Sequence, residues 1–211
     1  MIILYLIKND NKEEFMFTRT EGFREYANSY RAVTVLILIM MIVFVLVLFP
    51  TFPGNVLFYY GTGVNLYIAD GQWWRLITPI FLHSTFTHLL FNGFSLAIFG
   101  PFLEKLLGTV KFSIFFLSTG LLANIATFLI NPLTYNHVGA SGAIFGLLGF
   151  FLYLVLFNKT NFTNNERNTV YTLTGIAVIM TFIQPQINVV GHLAGLATGF
   201  LTAPLYLRKK W

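Results

Sequence analysis

The chain has 211 residues, of which 56% are hydrophobic and only 10% are charged, and its mean hydropathy is +0.71. A soluble domain of this size carries more polar residues, so the composition indicates one compact membrane domain. The chain has no cysteine, which excludes a disulfide framework, a thiolate metal site and cysteine protease chemistry. The formal net charge is +5, and its meaning depends on where the basic residues stand.

Six apolar segments approach the length that a helix needs to cross a bilayer, about 20 residues. The first follows a short N-terminal segment, residues 1–30, and is apolar from Ala32 to Phe49, where Pro50 ends it. The fifth is the weakest, because threonines and a glycine dilute it. The pattern predicts an all-α membrane protein, a bundle of six transmembrane helices. The predicted spans are 31–49, 81–103, 111–131, 139–157, 168–184 and 187–207, and a basic tail, 208–211, follows them.

The basic residues predict the orientation of this bundle. Only Arg75 of the 13 Lys and Arg residues falls on the outer side of the six predicted spans. Because cytoplasmic loops are enriched in Lys and Arg, both termini are predicted to be cytoplasmic. The charges are scattered and interleaved with glutamates, which disfavours nucleic-acid binding. The other basic residues are Lys8, Lys12, Arg19, Arg24, Arg31, Lys105, Lys111, Lys159, Arg167, Arg208, Lys209 and Lys210.

The first outer loop, about residues 50–80, is long and rich in aromatic residues and glycine. Aromatic side chains at this density are typical of the boundary between lipid headgroups and hydrocarbon. The plain interpretation is an interfacial belt. The sharper one is a partly inserted loop that braces the helices and lines a substrate entrance, and the two are compatible. The aromatic residues include Phe52, Phe58, Tyr59, Tyr60, Tyr67, Trp73 and Trp74.

Two small-residue motifs place polar groups at one predicted depth. The motif GASG carries Ser141 at the start of the fourth span, and GHLAGLATG carries His192 near the start of the sixth. Taken alone, such motifs favour simple helix packing, with the serine bonded to a backbone carbonyl. Glycines four residues apart let helix backbones approach closely, and the pairs here are Gly142 with Gly146 and Gly195 with Gly199.

The second span supplies the remaining polar groups that acyl transfer requires. His88 and Asn92 are four residues apart, so they share a helical face. We interpret Ser141 as a nucleophile and His192 as a general base. Asn92, His88 and the backbone N–H of Ser141 are the candidate donors to an oxyanion. Because the outer halves of the predicted helices contain no carboxylate, we expect a dyad without an acidic third member.

Neither a metal site nor a cofactor is expected. His83 and His88 are five residues apart, whereas two ligands on one helical face are four apart, and no HExxH motif occurs. Aspartyl chemistry would need two acids at depth, which the predicted spans lack. A transporter is a further alternative, but the sequence shows no internal repeat of the kind that transporters use. His137, just before the fourth span, is interpreted as an exposed or interfacial loop histidine.

The chain resembles the rhomboid family of intramembrane serine proteases over about residues 31–207. WRLITPIFLHSTFTHLLFN is similar to the family's Trp-Arg and His-x4-His-x3-Asn motifs, GASG to its nucleophile motif, and GHLAGLATG to its last helix. The resemblance implies the same roles for Ser141, His192, His88 and Asn92. It also implies that Trp74 and Arg75 are structural residues of the outer loop, that Glu104 is a buried acid tethering loop or helix ends, and that His83 organises water and loop contacts.

Two positions depart from the family pattern. Many members carry a tyrosine four residues after the nucleophile, where its ring stacks on the catalytic histidine, and here Phe145 keeps the ring without the hydroxyl. The residue before the histidine, commonly alanine, is Gly191. Both changes are compatible with the stack and with close packing. The motif glycines expected to support the site are Gly139, Gly142, Gly195 and Gly199.

The resemblance implies an endopeptidase of the cell membrane that hydrolyses peptide bonds in or near transmembrane segments of other membrane proteins. Its surroundings are the lipid bilayer, and its substrates are expected to have a small side chain before the scissile bond. They are also expected to unwind easily, because a stable helix hides its carbonyls. The alternative is a catalytically silent rhomboid-like protein that binds membrane proteins, a group that tends to lose the serine or the histidine.

Overall fold

The computed structural model describes residues 16–17, 20–158 and 162–207. Several basic residues on which the predicted orientation depends lie outside the described residues, together with most of the predicted N-terminal segment. They are Lys8, Lys12, Arg19, Lys159 and those of the predicted basic tail, 208–211.

Helices occupy most of the described chain, and the six longest have 17 to 22 residues and correspond to the six predicted apolar segments. In chain order the elements are α1 (Phe23–Ser29), α2 (Arg31–Val47), α3 (Gly54–Gly61), β1 (Gly63–Val64), α4 (Asn65–Ala69), two 3₁₀ turns (Trp73–Leu76 and Thr78–Phe81), α5 (Phe86–Leu107), α6 (Thr109–Ile130), β2 (Asn136–His137), α7 (Ser141–Phe157), α8 (Asn164–Ile183) and α9 (Val189–Leu207).

Helix α5 begins five residues later than the sequence predicts, at Phe86 instead of 81. Phe81 ends the preceding 3₁₀ turn and residues 82–85 are not helical, and hydropathy alone did not separate these residues from the helix. Thr85 marks the true start, because its hydroxyl oxygen accepts a hydrogen bond of 3.1 Å from the backbone N–H of His88. A threonine cap of this kind satisfies one of the unpaired N–H groups of the first turn.

Helix α8 begins four residues earlier than predicted, at Asn164. Thr163 and Glu166 form a capping box in which each side chain accepts a hydrogen bond from the other residue's backbone N–H. This reciprocal cap stabilises a first turn that is too polar to be recognised by hydropathy. The polar start is therefore helical, and the apolar part of α8 begins one turn later.

Helix α7 lies in the middle of the bundle, and its residues from Ala143 to Phe151 are all buried. It packs against α5, α6, α8 and α9, most extensively against α9. A helix surrounded by others must be apolar on every side, which explains its continuous apolar sequence. The N-terminus of α7 is therefore held in place by neighbours, and this is where Ser141 lies.

Apolar side chains also cover the outside of the bundle. Helix α2, for example, exposes Val35, Leu38, Met41, Ile42 and Val45. Among the described residues, three helices are long and apolar enough to cross a membrane, or four if the bent pair α1 and α2 counts as one span. These outer faces fit a lipid environment. The count of six spans stays a prediction.

The first outer loop is attached to the chain just before α7. Strands β1 and β2 pair antiparallel, with Gly63 opposite His137 and Val64 opposite Asn136, so a short two-stranded pairing accompanies the predicted helices. Beside it, the Asn65 side-chain amide donates to the carbonyl oxygens of residues 131 and 132 at 3.2 and 3.1 Å. These bonds fix the loop to the segment between α6 and α7.

Arg75 holds the first outer loop together from inside. It is completely buried, and its guanidinium donates to the carbonyl oxygens of Tyr59 and Thr62 at 2.7 and 2.6 Å and to the Gln72 side chain at 2.7 Å. Burial lowers its pKa from the ordinary value for arginine. Trp74 adds a bond from its indole N–H to the Tyr60 carbonyl, 3.1 Å long. The backbone of α3 is thereby tied to the 3₁₀ turn.

Glu104 joins three helices at the other end of α5. Its buried carboxylate accepts hydrogen bonds from the backbone N–H groups of Ala32 and Val33 in α2, at 2.8 and 2.9 Å, and from the Thr109 hydroxyl of α6 at 2.8 Å. The first N–H groups of a helix have no partner within the helix. Glu104 therefore acts as a cap that α5 provides to α2.

His137 is buried, contrary to the exposed or interfacial position expected from the sequence. Only 8% of its surface is exposed, and its ring stacks on Tyr135 with centroids 6.2 Å apart. The ring occupies space left by Gly63, where an added Cβ would lie 2.6 Å from His137 Cε1. Burial lowers the pKa of His137 to about 4, so the ring is neutral at pH 7. Sequence could not show this, because the β1–β2 pairing joins distant segments.

Candidate active site

Helices α7 and α9 touch through their backbones. A Cβ added at Gly195 would overlap the carbonyl oxygen of Gly142, and one added at Gly199 would overlap that of Gly146. In a third contact the glycine belongs to α7 and the carbonyl to α9, because a Cβ at Gly149 would overlap the carbonyl oxygen of Leu196. The two helices are therefore closer than any pair with side chains at these positions could be. The predicted glycine pairs thus face each other across one interface.

This contact brings the first turns of α7 and α9 to the same end of the bundle. Ser141 precedes Gly142, while His192 lies one turn before Gly195, the residue that packs on Gly142. A Cβ on Gly142 would also lie 3.6 Å from the carbonyl oxygen of Gly191, the residue before the histidine. The helical turns that carry Ser141 and His192 are therefore in contact across the interface.

Ser141 is the first residue of α7 and is partly exposed. Its backbone N–H stands in the first helical turn, where no carbonyl of the same helix is available. Among the described residues, the Ser141 hydroxyl has no hydrogen-bond partner. A partly exposed hydroxyl beside an unpaired N–H is an arrangement in which a nucleophile and an oxyanion donor belong to one residue.

Gly139 shapes the approach to Ser141. Its φ of +116° is one that residues with a side chain rarely adopt. An added Cβ would lie 2.5 Å from His88 Nε2 and 3.6 Å from Asn92 Nδ2. The backbone N–H of Gly139 donates to the Pro79 carbonyl oxygen at 2.8 Å. The chain leading to Ser141 therefore passes directly over the polar face of α5.

The polar face of α5 is internally ordered. One N–H of the buried Asn92 amide donates to the His88 carbonyl oxygen at 3.1 Å, which leaves its second N–H available. The ring of His83 meets the ring of His88 edge to face, with centroids 5.0 Å apart. The Ser84 hydroxyl lies 3.5 Å from His88 Nδ1. His83 thus packs against the ring of His88, a candidate oxyanion donor.

His192 is held on two sides. Its ring stacks on Phe145 of α7 with centroids 4.1 Å apart and an interplanar angle of 19°, so the ring stack expected from the sequence is present. Its Nδ1 atom lies 2.9 Å from the hydroxyl oxygen of Thr181 in α8. The histidine is 94% buried, since 6% of its surface is exposed. Stack and hydrogen bond together fix the plane and the direction of the ring.

Sequence reasoning missed two residues that position His192, namely Thr181 and Asn188. Asn188 precedes α9, and its side-chain oxygen accepts a hydrogen bond of 2.9 Å from the backbone N–H of Gly191. Its amide nitrogen donates to the Thr127 hydroxyl of α6 at 2.9 Å. An asparagine just before a helical segment is a recognised start signal and could have been found. Thr181 had no such signal, because threonine occurs throughout α8.

In the described ranges, His, Asp and Glu residues nowhere gather in a group of three or more that could hold a metal ion. The four elements that meet at Ser141 are α5, α7, α9 and the segment before α7. They bring together the residues predicted for the dyad and the oxyanion donors. Glu104, Trp74 and Arg75 are structural contacts elsewhere in the fold.

Comparison with known protein families matches residues 70–209 to the Rhomboid domain. The chain belongs to the rhomboid family. With its apolar helices, this rhomboid is a multi-pass membrane protein. The matched range contains every residue that lines the candidate site, from His83, just before α5, to Gly199 in α9.

Three relatives show how far the similarity extends. YdcA of Bacillus subtilis (strain 168), named a candidate rhomboid protease, is 43% identical over 198 residues, which cover 92% of this chain and 98% of YdcA. The rhomboid protease GluP of the same organism is 38% identical over 144 residues, 68% of this chain and 28% of GluP. The chloroplastic RHOMBOID-like protein 9 of Arabidopsis thaliana is 31% identical over 69% of this chain and 35% of that protein. Relatives named as proteases support a protease function for this rhomboid.

The glycine interface predicts a sharp contrast between two alanine substitutions. Gly195→Ala places a methyl group against the Gly142 carbonyl oxygen, so α9 must move away from α7. We expect a loss of about 1–3 kcal/mol in the free energy of unfolding, typical of overpacking. Gly175→Ala in α8 meets nothing within 4 Å, and it should be neutral or stabilising by about 1 kcal/mol because alanine favours helix.

Thermal unfolding of both variants in the same detergent measures this contrast. Equal stability of Gly195→Ala and Gly175→Ala would contradict the close contact between the two backbones.

Proposed function

We propose that this rhomboid is an intramembrane serine endopeptidase with Ser141 as nucleophile and His192 as general base. The observation that supports the proposal is the α7–α9 backbone contact, because Ser141 and His192 stand in the first turns of the two helices that this contact joins. The protease names of its relatives agree with it. Both residues are present, whereas the competing interpretation, a silent binding protein, predicts the loss of one.

The reaction needs no group beyond the chain's own residues and water. Ser141 Oγ forms a bond to the scissile carbonyl carbon while its proton passes to His192 Nε2. The C–N bond then breaks, and His192 returns the proton to the leaving amine. Water attacks the resulting ester with His192 again accepting a proton, which restores the Ser141 hydroxyl and releases the new carboxyl end.

The negative charge on the substrate oxygen would be stabilised by three donors. These are the Ser141 backbone N–H, the free N–H of the Asn92 amide and the ring of His88. The two α5 donors lie close to Gly139, two residues before the nucleophile. Donors that are already fixed in position need no reorganisation during the reaction, so they stabilise the developing charge more than water does.

Substrates are transmembrane segments of other membrane proteins. A peptide must unwind before its carbonyl can reach Ser141, since a helix uses its carbonyls internally. Small side chains before the scissile bond and weak helical segments meet this requirement. Water reaches the site through a polar opening on the outer face, next to the first outer loop, which we propose to be partly inserted in the membrane.

The catalytic domain is proposed to span 31–207, with six transmembrane helices and both termini in the cytoplasm. The positive-inside pattern of the sequence supports this orientation. A reporter fused after Lys210 should therefore be cytoplasmic, while one inserted at Asn55 in the first outer loop should face the opposite side. A C-terminal reporter on the outer side would contradict both the orientation and the even number of spans.

The dyad predicts that Ser141→Ala and His192→Ala each abolish cleavage of a labelled transmembrane substrate by the purified protein. Since the two residues act as one unit, the double variant should be no worse than either single one. Circular dichroism and unfolding temperature should be little changed. Ser141-independent cleavage would contradict the proposal, and a wild type without cleavage of any transmembrane substrate would favour the silent binding protein.

The oxyanion donors predict an effect on kcat. Removing one such donor costs about 100- to 1,000-fold in rate, so Asn92→Ala should lower kcat strongly and leave KM nearly unchanged. His88→Ala should act similarly and also reduce stability. Asn124→Ala is a matched control, because this buried amide donates to the Leu76 carbonyl oxygen at 2.9 Å and has no place in the chemistry. Asn124→Ala should lower the stability and leave kcat unchanged. If Asn92→Ala instead raises KM and leaves kcat normal, Asn92 is not an oxyanion donor.

A further inference from the structure

Thr181 lies in the last turn of α8 and is 98% buried, with 2% of its surface exposed. Its hydroxyl oxygen has two close neighbours. One is the carbonyl oxygen of Ala177, 2.9 Å away in the preceding turn, and the other is His192 Nδ1, also 2.9 Å away. Both distances are those of ordinary hydrogen bonds.

A threonine hydroxyl has a single proton to donate. The Ala177 carbonyl oxygen can only accept, so the hydroxyl proton must point at it for that 2.9 Å contact to be a hydrogen bond. The contact with His192 then requires a proton on Nδ1, donated to the lone pair of the Thr181 oxygen. The opposite arrangement would place two acceptors 2.9 Å apart in a buried site, which is unfavourable.

We infer that Thr181 is a positioning residue that holds His192 in the tautomer protonated at Nδ1, so that Nε2 keeps its lone pair. This inference rests on the proposed function for its catalytic meaning, because Nε2 is the atom that must accept the Ser141 proton. The Phe145 stack fixes the plane of the ring, and Thr181 fixes its rotation within that plane. Together they supply the orientation that serine proteases with three catalytic residues obtain from an acid.

A hydroxyl has an advantage over a carboxylate at this place. It accepts the Nδ1–H bond without bringing a full negative charge into the membrane, where ionised side chains are costly. The imidazolium formed during the reaction still gains a hydrogen bond to the threonine oxygen. Thr181 also makes the base depend on α8, so the correct tautomer requires the end of α8 to be packed against α9.

The test compares substitutions at two buried threonines of the same helix. Thr181→Val keeps the shape of the side chain and removes the hydroxyl, while Thr181→Ser keeps the hydroxyl and removes the methyl group. Thr174→Val is the matched control, because Thr174 is also buried and its hydroxyl has no hydrogen-bond partner. We expect Thr181→Val to lower kcat about 10- to 100-fold, the value of one hydrogen bond to a charged group, with KM unchanged. Thr181→Ser should recover most activity, and Thr174→Val should match the wild type.

Nitrogen-15 NMR of the labelled histidine ring reports which ring nitrogen carries the proton, a property that would not depend on Thr181 if its role were only structural. In the wild type and in Ser141→Ala, His192 should show a protonated Nδ1 and an unprotonated Nε2 at neutral pH. Thr181→Val should show a mixture of tautomers. A proton on Nε2 in the wild type, or equal kcat in Thr181→Val and wild type, would overturn the inference.

The two proposals can fail separately. If the wild type shows no Ser141-dependent cleavage, the proposed protease function fails, and the NMR spectrum of the wild type still decides the tautomer. If cleavage depends on Ser141 but not on the Thr181 hydroxyl, only the positioning role fails. Should Thr181→Val not fold, the wild-type spectrum and the kinetics of Thr181→Ser remain decisive.

Discussion

The direct contact between the backbones of α7 and α9 is the constraint on which the site depends. Lipid offers helices little hydrophobic driving force to associate, so close approach through glycine, with its larger van der Waals contact, is an effective way to join them. Gly195 against the Gly142 carbonyl sets the relative height of the two helices. Because Ser141 and His192 stand within a turn of these contacts, the glycines that pack the bundle also define the distance between the proposed nucleophile and the proposed base.

Polar groups in this fold are satisfied mainly by neutral partners. Thr181 meets His192, Asn65 meets backbone carbonyls, and Asn188 caps α9 while bonding α6. Among the described residues, the buried charged side chains of Arg75 and Glu104 both bind backbone groups, Arg75 carbonyl oxygens and Glu104 the first N–H groups of α2. In the proposed mechanism, the imidazole of His192 is then the group of the site whose charge changes during the reaction.

Most of the architecture could be predicted because the apolar segments are long and separated by polar breaks. The motif glycines predicted the contact between α7 and α9. The start of α5 was misplaced because hydropathy does not distinguish the end of the 3₁₀ turn at Phe81 and the non-helical residues 82–85 from helix. His137 and Thr181 could not be placed. The burial of His137 depends on a pairing between distant segments, and the contact of Thr181 depends on the rotation of α8 about its own axis, which a helix of low amphipathicity does not encode.

The proposed function requires that His192 activates Ser141 as a nucleophile. Treating the purified protein with a fluorophosphonate and locating the adduct by mass spectrometry tests this activation without any knowledge of the substrate. We expect one adduct, on Ser141, whose formation is lost in His192→Ala while that variant remains folded. An adduct on a different serine, or labelling of Ser141 at the same rate without His192, would contradict it.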